Sequence, residues 1–299
     1  MNREIHKISM GDTCNNACYF CGERSKKHLV DAEHIMREIH RGREQHLDSV
    51  IFTGLEPTIF SGFLNVVAAA RAAGYSDIAI DTNARMFCYK KFAVEAKNAG
   101  LSEARVIVPH HTPKGYERIT GATAGLEQMA TGIKNLSEMK SVRIIARIPV
   151  CEKNQLEIFE IVLFCRKLNI GNISLFAPDG GFSESESIDI NAVRGQIEKA
   201  ASHAVEHEYI FDYSQIDQLA YRDDELMEQT SSSFYPQYYV GRLQRPENLE
   251  AVLRPTFACN QICRFCWVSP SEIKPGVADM DKEIARIIKN RIPKLGISG

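Results

Sequence analysis

The chain has 299 residues, 44% hydrophobic and 25% charged, with a formal net charge of -2. That length buries a core without disulfide staples, and the balanced charge excludes a disordered chain and gives no electrostatic case for nucleic acid as partner. No apolar run of ~18 residues marks a membrane span and Met1–Gly11 lacks a secretion-signal core, so a soluble, cytoplasmic protein is expected.

Strand patterns are predicted at Ile5–Met10, Ser49–Thr53, Asp77–Thr82, Ala104–Val108, Val142–Val150 and Asn172–Phe176. Between them run stretches with apolar residues at helical spacing: Ile35, Met36 and Ile39; Phe63, Val66, Val67 and Ala70; Leu126, Met129, Ile133 and Leu136; Ile158, Ile161 and Cys165. Gly74, Gly100 and Gly171 punctuate helix ends. Strands alternating with helices mean βαβ units and a parallel sheet. Six such units close into a partial barrel or open into a doubly wound sheet, and periodicity does not choose between them. Two more helical patterns flank a short strand at Tyr209–Asp212. The stretch from Thr230 to Asn248, rich in Ser, Pro and Tyr, then reads as a linker.

Six of the nine cysteines fall in two clusters, Cys14, Cys18, Cys21 and Cys259, Cys263, Cys266. In a reducing compartment clustered thiols read as metal ligands, and the lone Cys88, Cys151 and Cys165 as small core residues. The clusters belong to an internal repeat. Residues 259–266 match residues 14–21 at five of eight positions, at an offset of 245 that continues without gaps until Gly54 pairs with Gly299. A structural zinc wants four closed ligands, and the nearest candidates for a fourth, His6 and His28, read better as strand or surface residues. A [4Fe–4S] cluster held by three cysteines keeps one iron open, which suits a catalyst that coordinates a cosubstrate.

Three cysteines at C-x3-C-x2-C after a first strand, with Phe20 before the third, resemble the radical S-adenosylmethionine (SAM) superfamily over about residues 3–180. Thr53-Gly54-Leu55-Glu56-Pro57 is similar to that family's Gly-Gly-Glu-Pro segment, with Leu55 in place of the second glycine. Asp81-Thr82-Asn83 is similar to its Thr-Asn-Gly, with Ala84 in place of glycine. Residues 116–136 look like the segment after strand four in molybdopterin cyclases and peptide-modifying members. The resemblance implies a partial (β/α)6 TIM-like barrel with a C-terminal βαβ-like extension. It implies a [4Fe–4S] cluster on Cys14, Cys18 and Cys21, and SAM held near Phe20, Gly54, Leu55, Glu56, Thr82 and Asn83. Arg143 is expected at the SAM carboxylate, with Arg147 as the alternative on the same strand face. Reduction of the cluster by a donor such as flavodoxin or ferredoxin would cleave SAM to a 5′-deoxyadenosyl radical that abstracts a substrate hydrogen atom. A peptide or a small biosynthetic intermediate is the expected substrate, and His110 and His111, following strand four, are candidates to contact it.

The domains are expected to be a core at 1–228, a linker at 229–250 and a second three-cysteine segment at 251–299. The repeat favours reading that segment as the opening of a second radical SAM module, cut short at Gly299. An auxiliary [4Fe–4S] cluster on Cys259, Cys263 and Cys266, for substrate binding, electron relay or sulfur insertion, is the alternative. A non-catalytic metal-binding protein is the reading from a different class.

Overall fold

The computed structural model describes residues 5–22, 30–178, 188–216, 250–253 and 294–297. The second cysteine triad and the serine-rich stretch of the linker lie outside the described residues. The chain divides into two compact units, Met1–His203 and Ala204–Gly299.

In the first unit six strands lie in parallel in the order of the chain: β1 (Ile5–Ser9), β2 (Ser49–Thr53), β3 (Asp77–Thr82), β4 (Glu103–Ile107), β5 (Arg143–Pro149) and β6 (Asn172–Phe176). A doubly wound sheet reverses its order at a switch point. This one does not, so the architecture is the singly wound α/β type of a partial barrel. It stays open, because among the described residues β1 pairs with β2 alone.

Between the strands run α1 (Ala32–Glu44), α2 (Phe63–Ala72), α3 (Lys90–Ala99), α4 (Pro113–Thr120), α5 (Gly125–Ser137) and α6 (Ile158–Lys167), and α7 (Ile190–Glu206) follows β6. Asp31 caps α1 by accepting from the His34 N–H at 2.7 Å, and the helix buries Ile35, Ile39 and Gly42. Each strand presents one face to these helices. The row Ile8, Phe52, Ile80, Ala104, Ile144 runs across β1 to β5 in register. Of these, Ile8, Phe52, Ile80 and Ala104 are buried in the main core. The opposite, inner face alternates with it and is polar, carrying Lys7, Asp81, Glu103, Arg105, Arg143 and Arg147.

Two expectations need correction. Cys151 and Cys165 are core residues, but Cys88 is only half-buried, at the end of a 3-10 turn over Arg85–Cys88. Helix α4 was not among the predicted elements. Its local signals are Thr112, whose hydroxyl accepts from the Gly115 N–H at 3.2 Å, and Pro113 in the first turn.

The second unit contains β7 (Ile210–Asp212) and a parallel pair, β8 (Glu250–Leu253) with β9 (Lys294–Ile297). Glu250 faces Lys294, as Ile5 faces Ser49 in the first unit. The repeat offset of 245 therefore carries over to both strands and to their register.

Candidate active site

Parallel strands release their loops at one edge, and that edge carries the cavity. Cys14, Cys18, Cys21 and Phe20 line it from the loop after β1, Gly54 and Leu55 after β2, and Asp81, Thr82 and Asn83 at the end of β3. Ile107, Pro109 and Phe176 complete it from β4 and β6.

The cysteine loop is held by hydrogen bonds from both sides. Ala17 N–H donates to Thr120 O at 2.6 Å and Tyr19 N–H to Ile119 O at 3.1 Å, tying the loop to α4. On the other side Arg85 Nη1 donates to Asn16 Oδ1 at 2.7 Å, and Asn83 Nδ2 to Asn15 Oδ1 at 2.6 Å. Asn16 N–H donates to Cys14 Sγ at 3.3 Å, with Asn83 Nδ2 3.9 Å from the same sulfur. Such donors stabilise a thiolate ligand and tune the centre it binds.

Three thiols on one loop leave a structural zinc one ligand short, whereas on a [4Fe–4S] cluster each binds a different iron and the fourth stays open. Among the described residues His110, His111 and Glu157 also come together, with ligand atoms within 4.8 Å of one another. The histidine–glutamate group does not suit an ion either. His110 Nδ1 accepts from the Thr112 N–H at 3.1 Å, which places the ring proton on Nε2, 3.3 Å from Glu157 Oε1. That nitrogen donates and has no lone pair for a metal.

Gly54 must be glycine: its φ is +116°, and a Cβ would stand 2.7 Å from Gly11 O. Leu55 is accommodated, its N–H donating to Gly11 O at 3.3 Å while it lines the cavity. Glu56 is 3% exposed and does not line the cavity. Its Oε2 accepts from Asn83 N–H at 2.7 Å, and its Oε1 from Thr82 Oγ1 at 2.7 Å, from Thr58 N–H at 3.3 Å and from the Thr58 hydroxyl. Burial pushes its carboxyl up from the ordinary value, against the pull of those donors. Glu56 thus bolts the end of β2 to the end of β3 and fixes Thr82 and Asn83 at the cavity.

Ala84 adopts φ +59°, the left-handed region where glycine is free of strain, and Gly132 of α5 gives its carbonyl room. Arg143 is not at the cavity. It sits at the start of β5, paired in register with Glu103 and ion-paired to its carboxylate, because the strand runs seven residues before reaching the cavity edge. Arg147, four residues further along the same strand face, stacks 4.4 Å from the Phe176 ring centroid and lies 3.8 Å from Asp81 Oδ1. Among the described residues that buried oxygen has no hydrogen-bond partner, and burial raises the Asp81 carboxyl while Arg147 opposes it. His110 is buried and bonded to Glu157, and His111 stacks on it at 4.9 Å; neither ring lines the cavity. Sequence reading missed Arg85, Asn16 and Asp81, whose roles come from contacts across 65 to 70 residues of chain.

The Radical SAM superfamily profile matches residues 8–164. The chain belongs to the radical SAM superfamily, and it is an enzyme. A probable GTP 3′,8-cyclase of Saccharolobus islandicus strain L.S.2.15 is 26% identical over 200 residues, covering 64% of this chain and 64% of the relative. The chain therefore spans less than two thirds of the length of that relative. Among solved structures, Streptococcus suis SuiB bound to S-adenosylmethionine aligns with a TM-score of 0.55 at 17% identity, covering 70% of this chain and 46% of that one. Native anSMEcpe with bound AdoMet aligns with a TM-score of 0.59 at 12% identity, covering 72% and 65%. These structures share its fold. Membership implies a [4Fe–4S] cluster and SAM as cofactors. No helix among the described residues is long and apolar enough to cross a membrane.

Proposed function

We propose that Cys14, Cys18 and Cys21 hold a [4Fe–4S] cluster whose open iron binds SAM, and that the chain abstracts a hydrogen atom from a peptide or a small biosynthetic intermediate. The observation that carries this reading is the convergence of three cysteines, the Gly54–Leu55 turn and Asn83 on one cavity from three strand ends. When bound, the cluster supplies the electron that cleaves SAM to a 5′-deoxyadenosyl radical. The protein's part is placement. The Gly54–Leu55 backbone would hold the SAM amino group and Asn83, fixed by Glu56 and by the Arg85 N–H, would meet the ribose, while Phe20 would cover the cluster. Arg147 takes the basic role first expected of Arg143.

The substrate would lie on the polar inner face beyond SAM, where Asp81 offers a carboxylate oxygen that has no hydrogen-bond partner among the described residues. GTP, on which the S. islandicus relative acts by name, is the first substrate to test, with short peptides as the second arm. Anaerobic reconstitution tests the cofactor assignment. About four irons at the first triad, and a reduced-cluster EPR signal that shifts when SAM is added, are expected. Stoichiometric zinc with no response to SAM would instead support a non-catalytic binding protein.

For residues 250–299 we favour a second module's opening over an auxiliary cluster, because β8 and β9 repeat β1 and β2 in both offset and register. In that reading Cys259, Cys263 and Cys266 follow β8 as Cys14, Cys18 and Cys21 follow β1. Iron analysis of a variant with the first three cysteines replaced tests it: retained iron assigns a second site, and none removes it.

A further inference from the structure

Arg85 ties three elements together at the cysteine loop. The left-handed turn at Ala84, φ +59°, brings Asn83 and Arg85 to the same side of the chain, where both meet the loop after β1. One guanidinium nitrogen, Arg85 Nη1, donates to the Asn15 carbonyl oxygen and also to Asn16 Oδ1, the latter at 2.7 Å. Its Nε donates to Gln128 Oε1 of α5 at 2.7 Å, and its backbone N–H to Asn83 Oδ1 at 3.0 Å. The arginine thus fixes the cysteine loop against the end of β3 and against α5.

These bonds orient one peptide unit. The Asn15 carbonyl that Arg85 holds belongs to the same amide as the Asn16 N–H, and that N–H donates to Cys14 Sγ at 3.3 Å. The amide is planar and trans, so fixing its oxygen fixes the direction of its N–H. The Asn16 side chain is held from both ends. Arginine only donates, so the carboxamide oxygen turns toward it and the amide nitrogen toward Tyr116, whose hydroxyl accepts at 3.2 Å. Tyr116 is fully buried, and burial pushes its phenol up to about 12, which keeps that acceptor protonated.

We propose that Arg85 is a positioning residue for the cluster: through the Asn15–Asn16 amide it aims and polarises the N–H that meets Cys14, and so raises the reduction potential of the cluster bound there. The inference rests on the radical SAM reading of the same loop. A hydrogen bond to a cysteine sulfur favours the reduced, more negative cluster. A cation on the oxygen of the same amide draws electron density from its nitrogen and strengthens that bond. Arg85 acts through the amide and does not itself line the cavity.

The test uses the full chain. EPR-monitored redox titration of the reconstituted cluster gives its midpoint in wild type, Arg85→Met, Arg85→Lys and Gln128→Ala. Arg85→Met is expected to lower the reduced-to-oxidised ratio at a fixed potential about tenfold, a negative shift of about 59 mV for a one-electron couple. Gln128→Ala frees Nε and leaves the Nη1 bonds, so it should shift the midpoint the same way by less. Arg85→Lys keeps the charge, but one nitrogen does not reproduce the guanidinium fork, so most of the shift should remain. In the apoprotein, amide hydrogen exchange over residues 14–18 should run about tenfold faster in Arg85→Met, a readout that needs no iron. A midpoint unchanged in Arg85→Met at full iron content, or restored completely by lysine, would overturn the proposal. If Arg85→Met takes up too little iron, Gln128→Ala decides, and a wild-type midpoint with wild-type exchange there overturns it equally. A wild type that binds no cluster would count against the radical SAM reading; exchange equal in wild type and Arg85→Met would then remove the clamp as well.

Discussion

Replacing Glu56 with alanine separates a structural bolt from a SAM contact. The carboxylate accepts from the buried N–H groups of Asn83 at 2.7 Å and Thr58 at 3.3 Å. Removing it leaves both donors without a partner, at about 1–3 kcal/mol each. The Thr82 hydroxyl adds less, because it keeps a bond from Ala84 N–H at 3.0 Å. The sum is about 2–6 kcal/mol, and at ~2–4 °C per kcal/mol for a domain of this size the midpoint should fall by roughly 4–24 °C. The assay is thermal unfolding of the apoprotein without SAM, so that no lost ligand contact enters. Glu56→Gln should lose less, since its amide oxygen still accepts from Asn83. An apoprotein midpoint within ~1 °C of wild type, combined with lost SAM binding, would refute the reasoning and make Glu56 a direct ligand contact.

Gly132→Ala should unfold several degrees earlier and loosen Asn83, because its Cβ would stand 2.1 Å from Ala84 O; a midpoint equal to wild type would contradict the close packing. Burial holds His110 below the usual histidine range, so its contribution to stability is full above about pH 6.5 and is lost as pH falls through the lowered value. Between pH 7 and pH 5, wild type should therefore lose more thermal stability than His110→Gln; parallel curves would refute this. Asp81 is raised by burial and Arg147 opposes the shift. In Arg147→Met the buried carboxylate loses that cation, so destabilisation should grow as pH rises from 5 to 8. A loss independent of pH would show that the pair is not coupled.

What the sequence made legible follows from where its information is local. The strands were readable in two ways: β2 as an apolar run, Ser49–Thr53, buried along its whole length, and β1 and β6 as alternating patterns with every second residue buried. The cysteine loop was readable from its spacing, and Gly54 and Asn83 from their likeness to the family's motifs; the structure brings them to one cavity. The side-chain alternation of β5 was legible too, but not which of Arg143 and Arg147 lies at the cavity end. That depends on register with β4, where Glu103 faces Arg143 and Ile107 faces Arg147. Glu56 was visible as an acid after β2, yet its partners Thr82 and Asn83 lie 26 and 27 residues away. Ala84 shows the reverse case. The family's glycine at this place has a backbone reason, φ +59°, and this chain accepts the strain with alanine.

The central claim is that the first cysteine triad supports reductive cleavage of SAM. Its most direct test is 5′-deoxyadenosine release from SAM by anaerobically reconstituted, dithionite-reduced protein, beside Cys18→Ala treated in the same way. The account predicts 5′-deoxyadenosine from wild type and none above background from Cys18→Ala, whose fold is otherwise intact. No product from a wild type carrying its iron, or equal product from both proteins, would contradict it.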